Sequence, residues 1–187
     1  MKFIELDTEQ KLRIYTLPLR QRIIREMSRI GKPVTAKKIA DNLGITPSAA
    51  QHHMKQLISI GLIENDHTEQ INGITANFMR LSNVTVRIGN QFGDTLSESR
   101  KAFMDSHIAQ IYASYETVVK QHPHQNETAP YGDVITGIVH LTDEDAVALT
   151  QLIAQFLIEH DTASETTNPW EMAMIAYRLD GEGEPKE

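Results

Sequence analysis

The chain has no cysteine among its 187 residues, which excludes disulfides, a thiolate metal site and a thiol redox switch. It has no apolar run near the roughly 18 residues of a membrane span, and MKFIELDTEQ lacks the apolar centre of a secretory leader. No membrane partner and a cytoplasmic address are the expectations. Catalytic signatures are also missing: there is no Gly-rich phosphate loop, no G-x-S-x-G and no H-E-x-x-H. Acid pairs such as Glu144/Asp145 fall in the first turn of an expected helix, where capping explains them. A non-enzyme is expected, with no cofactor.

Positive charge is scarce overall, since the net charge is -7, yet it is unevenly placed. Residues 1–83 carry 12 Lys+Arg against 8 Asp+Glu, a net of +4, and the remainder carries 6 against 17. Between Arg20 and Lys55 eight basic residues face two acidic ones. A polyanion such as double-stranded DNA would therefore meet the N-terminal part, with the acidic remainder turned away.

That basic stretch contains TAKKIADNLGITPSAAQHHMKQLISIGLI, Thr35 to Ile63. A first short helix runs from about Thr35 to Leu43, with Ile39, Ala40 and Leu43 on one face, and Gly44 stops it. Thr46 is a good N-cap, and Pro47 takes the first helical position, where its missing N–H costs nothing. The second helix presents Ala50, Met54 and Leu57 to a core, and Ser48, Gln51, His52 and Lys55 to the other side. Small residues at the crossing, a glycine turn and a polar second helix are the requirements of a helix-turn-helix reading the major groove.

LGITPSAAQHHMKQL followed by GLI resembles the recognition-helix signature of the arsenical-repressor (ArsR)-like winged-helix regulators, which tend to read LGLSPSTVSHHLKxL…GLV. Upstream, LPLRQRIIREM, Leu17 to Met27, is similar to the family's HPLRLRILxLL entry helix. The likeness spans roughly the first 85 residues. It departs at Ala49, Ala50 and Gln51, where the family tends to have Thr, Val and Ser, so a different base preference is implied at Gln51. The resemblance implies a winged helix-turn-helix that binds DNA.

Along the chain, Thr8 or Asp7 caps a helix through Tyr15, with Leu12 and Tyr15 as its apolar positions. After Pro18 a second helix carries Leu19, Ile23, Ile24, Met27 and Ile30 on one stripe, and Arg20, Arg22, Arg25 and Arg29 off it. A solvated face and contact with DNA phosphates are equally good readings of those arginines. Leu62 to Thr68 and Ile74 to Leu81 flank Asn72-Gly73, the favoured pair for a tight hairpin turn, and form a wing. This wing is weakly basic: Glu64, Asp66 and Glu69 are acidic, and His67, Gln70, Asn72 and Arg80 are its only candidates for touching DNA. Val84 to Ile88 either adds a short strand or leads out of the domain.

A weak boundary at Gly89–Gly93 precedes a long helix, Thr95 to Gln121. Met104, Ile108, Ile111, Tyr115 and Val118 recur on it at steps of four and three, a seam suited to pairing two copies or to packing on the chain's own C-terminal part. His122 to Gly132 reads as a linker. A strand over Val134–Leu141, a helix capped by Thr142 and a strand over Glu171–Leu179 make a small α+β unit, followed by an acidic tail without expected order. The helix, to about His160, is expected to bury Ala146, Leu149, Leu152, Ile153, Phe156 and Leu157.

Two sensing roles suit residues of the C-terminal half. The family's cysteine-free metal site uses Asp-x-His on the long helix, then His eleven residues later and His or Glu three beyond. Asp105-Ser-His107 supplies the first half, but the later positions are Val118 and Gln121, so no metal site is assigned. His122 and His124 lie near the helix end, and zinc needs three or four ligands with outer support; solvated histidines are favoured. Tyr131, Phe156, Trp170, Met172, Met174 and Tyr177 serve either as plain core or as the lining of a pocket for a small organic effector, with core ahead.

The expected fold is mainly α with α+β content: a winged helix-turn-helix domain (1–90), a long dimerisation helix and linker (91–130), and a small α+β regulatory or dimerisation unit with its tail (131–187). The expected function is a sequence-specific DNA-binding transcription regulator, a homodimeric repressor. DNA contacts are expected from Thr46, Ser48, Gln51, His52 and Lys55, from Lys37, Lys38 and Arg25, and from Asn72 and Arg80. The dimer is expected along Met104, Ile108, Ile111, Tyr115 and Val118. The rivals are a winged helix that binds protein without binding DNA, and a histidine-based metal-responsive regulator.

Overall fold

A computed structural model describes residues 3–88, 95–123 and 131–179. The chain divides into two compact units, Met1–Phe103 with Thr136–Pro169, and Met104–Ile135 with Trp170–Glu187. The fold is mainly α with α+β content, and its N-terminal part is a winged helix-turn-helix.

In the first unit, β1 (Phe3–Glu5) leads into α1 (Glu9–Thr16), α2 (Pro18–Ile30), α3 (Ala36–Leu43) and α4 (Pro47–Ser59). Each start has a local cause. Thr8, Thr35 and Thr46 accept, through their hydroxyls, the backbone N–H of Lys11, Lys38 and Ala49 at 3.2 Å, and Pro18 and Pro47 occupy first-turn positions. Gly31 and Gly44 end α2 and α3 in the left-handed region, at φ 62° and 66°.

The wing is the antiparallel pair β2 (Ile63–Ile71) and β3 (Ile74–Leu81), closed by Asn72 and Gly73 at φ 53° and 80°. Positive φ at both turn residues matches the right-handed twist of the strands, as the Asn-Gly pair predicts. A bulge at Asp66 shifts the register between Asn65 and His67. Met79 of β3 exchanges both backbone hydrogen bonds with Val34 at 2.8 Å, which ties the wing to the turn before α3. β4 (Thr85–Arg87) pairs in parallel with β1. The strand at Val84–Ile88 is therefore formed, and its partner lies at the N-terminus, where the sequence was not read as a strand.

Every buried apolar side chain among the described residues lies between Ile4 and Met79. Ile23, Ile39, Ala40, Ala50, Met54 and Leu57 are fully enclosed and form the centre of the three-helix packing. On α1 the buried pair is Leu12 and Ile14, with Tyr15 only half-buried and its ring edge-on to Phe103 at 5.6 Å.

The long helix is α5 (Ser97–Gln121), and α6 (Asp143–Glu159) follows. All five seam residues of α5, Met104, Ile108, Ile111, Tyr115 and Val118, are half-buried. In the second unit the Tyr115 ring lies against Gly132, and Tyr131 stacks on His122 at 3.6 Å, so the chain itself covers part of that helix. Thr142 caps α6 in a reciprocal box with Asp145, as expected.

Three expectations fail beyond residue 131. Neither Val134–Leu141 nor Glu171–Leu179 forms a strand; a β-prone sequence needs an edge to pair with, and no ladder forms at either segment. α6 buries no residue, and Leu149, Leu152, Phe156 and Leu157 are exposed. Tyr131, Phe156, Trp170, Met172, Met174 and Tyr177 are all exposed too, so they are not a buried core. The Gly89–Gly93 boundary, much of the linker with His124, and the acidic tail lie outside the described residues.

Candidate nucleic-acid interface

α4 is amphipathic with a sharp division. Ala50, Met54 and Leu57 are fully buried against the other helices, and Ser48, Gln51, His52 and Lys55 are exposed on the opposite side. Steps of three, one and three residues bring these four into one stripe about two turns long. Thr46, at the N-terminus of the same helix, is exposed although its hydroxyl is committed to the Ala49 N–H. An amide, an imidazole and an ammonium on a convex helix face are groups that bond base edges and phosphates. His53 turns toward the domain instead. Its Nδ1 is buried without a hydrogen-bond partner, and burial, helped by the charges of Arg20 and His52, holds its imidazole below the ordinary range.

The basic residues of α2 divide by role. Arg20 donates to the carbonyl oxygens of Arg13 and Ile14 at 3.3 and 3.1 Å, satisfying the C-terminal end of α1. Arg22 donates to the Leu43 carbonyl at 3.1 Å and does the same for α3. Arg29 pairs with Glu26 through two nitrogens, at 2.6 and 2.9 Å. Arg20 and Arg22 thus have structural duties that neither charge counting nor periodicity could reveal, because their acceptors are backbone carbonyls at the ends of other helices. Arg25 is exposed. On α3, Lys37 reaches Asp41 at 2.8 Å across one turn, and Lys38 is exposed beside it.

The wing neutralises itself. Arg80 contacts Glu64 at 2.7 Å and Asp66 at 3.2 Å, and His67 bonds Asp66 at 2.6 Å while stacking flat on Phe78. Arg80, expected to reach DNA, stands opposite Glu64 in the cross-strand register. Asn72 is exposed at the tip, flanked by the exposed side chains of Ile71 and Ile74. That apolar tip was missed by sequence reading, which placed Ile71 in the connection between the strands and Ile74 at the start of the second.

Among the described residues no group of three or more His, Asp or Glu side chains is placed to hold a metal ion, and no helix is long and apolar enough to cross a membrane.

Residues 17–65 match the family model described as a helix-turn-helix domain. No curated protein matches the chain. Among solved structures, two of a mutant of ZitR from Lactococcus lactis, one of them in apo form, are similar at 14% identity and a TM-score of 0.31. The likeness covers 74% of this chain and 81% and 73% of theirs. The matched stretch spans α2, α3, α4 and the start of the wing, the same residues whose geometry is described above. The chain therefore carries a helix-turn-helix domain at residues 17–65, and a DNA-binding transcription regulator is the function that domain supports.

Proposed function

We propose that this chain is a sequence-specific DNA-binding regulator that acts as a homodimeric repressor and places α4 in the major groove. The observation that carries the reading is the exposed stripe Ser48, Gln51, His52 and Lys55 on a helix whose other face is fully enclosed. Gln51 and His52 read base edges, Lys55 takes guanine or phosphate, and Thr46, Lys37, Lys38 and Arg25 contact the backbone. Asn72 is the wing's contact. Two copies joined along the α5 seam read two half-sites. The experiment is capture of genomic fragments by the purified chain at low salt, followed by footprinting of the fragments retained. Specific footprints with two half-sites are expected.

One observation favours a second reading. A wing whose Arg80 is held by Glu64 and Asp66 offers DNA little positive charge, as in a winged helix that binds protein. Absence of any retained fragment at low salt would replace the first reading with this one.

A further inference from the structure

A cavity of about 430 Å³ lies between α1, the start of α2 and the last turn of α4, within the first unit. Its floor is apolar, made by the buried Ile14 and the exposed Leu17. Around that floor stand Glu9 and Arg13 of α1, Arg20 of α2 and Gln56 of α4.

Glu9 and Arg13 are one helical turn apart, with the acid on the N-terminal side, the order and spacing that favour an ion pair on a helix. Lys37 and Asp41 on α3 use the same spacing and pair at 2.8 Å. Glu9 and Arg13 do not pair, and among the described residues neither side chain has another partner. Arg20 is a cation too, and its Nη1 is spent on the Arg13 and Ile14 carbonyl oxygens, which fixes the α1 wall against α2. A free carboxylate and a free guanidinium therefore share the edge of one apolar-floored cavity. An ammonium, a carboxylate and an aliphatic body on a single small molecule match those three parts. A DNA phosphate is a poorer occupant, because Glu9 repels a polyanion and the floor offers it nothing. The volume falls within the roughly 300–1,000 Å³ of small-molecule sites.

We propose that this cavity binds a zwitterionic amino acid with an aliphatic side chain. Its carboxylate lies on Arg13, its ammonium on Glu9 and its side chain on Ile14 and Leu17. Gln56 brings the ligand against α4, one residue from Lys55 of the exposed stripe, which makes the cavity an effector site on the recognition helix. That consequence rests on the regulator reading, whereas the binding itself does not.

The test is an NMR titration of the full chain without DNA, using free leucine as the probe. Isocaproate and isoamylamine serve as leucine without its amine and leucine without its carboxylate. Each should bind at least about tenfold more weakly than leucine, the scale of one lost bond between charged groups. Arg13→Gln should weaken leucine about as much without weakening isoamylamine, and Glu9→Gln should weaken leucine without weakening isocaproate. The probe that each variant keeps also shows that the variant is folded. Equal binding of the three probes would reduce the cavity to an apolar dent. That outcome, no saturable binding of leucine, variants that leave leucine unchanged, or variants that weaken all three probes together would each overturn the proposal. All four leave the DNA reading standing. Failure of the footprinting experiment would leave the leucine site standing and remove only its role as an effector site.

Discussion

Asn42 on α3 donates a hydrogen bond to Glu26 on α2 at 2.6 Å, and Arg29 grips the same carboxylate from one turn along α2. The Glu26 side chain is only 11% exposed, so the charge that joins the first two helices of the packing is largely withdrawn from water. The hydrogen bond from Arg29, then that from Asn42, holds the Glu26 carboxyl below its ordinary range. Because the folded state prefers the ionised form, this contribution to stability is present above the ordinary value of 4.5 and fades as pH falls through the lowered one. Glu26→Gln should lower stability near neutral pH by about 1–3 kcal/mol, the scale of a hydrogen bond to a charged group. The difference from wild type should shrink in acid. Denaturant unfolding at several pH values measures both, and a pH-independent difference would show that the charge is not what matters.

On the recognition helix, Gln51 has the chemistry for a bidentate contact with the N6 and N7 edge of adenine. Gln51→Ala should cost roughly 1–3 kcal/mol at the preferred site and relax one base position per half-site. Binding-site selection with the variant reads this directly. An unchanged preference and affinity would mean that the amide is merely solvated.

Lys55 and Arg80 separate the helix from the wing. Binding should weaken on the order of a hundredfold between about 50 and 200 mM salt, because each neutralised phosphate releases counterions. Lys55→Ala should lower affinity and flatten that salt slope. Arg80→Ala should alter the slope less, since Glu64 and Asp66 already engage the guanidinium. Equal effects of the two substitutions on the slope would show that Arg80 leaves its carboxylates when DNA binds.

Gly31 and Gly44 share a left-handed conformation and differ in what surrounds them. A Cβ on Gly44 meets nothing within 4 Å, whereas one on Gly31 would come within 2.7 Å of the Ala163 Cβ and 2.8 Å of its nitrogen. The Ala163 N–H donates to the Gly31 carbonyl at 3.0 Å, so backbone stands in the way. Gly44→Ala should cost about 1 kcal/mol for the conformation alone, and Gly31→Ala clearly more. Thermal unfolding of the two variants ranks them, and equal losses would remove the Ala163 contact from consideration.

The helix-turn-helix was legible because its determinants are local. Thr35 and Thr46 cap, Gly44 turns, and the spacing of Ala50, Met54 and Leu57 fixes one buried face; each acts within a few residues, so neighbours in sequence carry the information. The same holds for the Asn72-Gly73 turn and the Thr142–Asp145 box. The roles of Arg20, Arg22 and Arg80 were not legible, since each depends on an acceptor that folding alone brings near: carbonyls at two helix ends and a carboxylate across a ladder. The β1–β4 pair joins residues some eighty apart, and no pattern within Phe3–Glu5 announces a partner at Thr85–Arg87. Val134–Leu141 and Glu171–Leu179 read as strands in the sequence and are not, because a strand is a relation between two backbones. Whether an edge is available was decided by tertiary structure, which leaves both segments outside any ladder in the single chain.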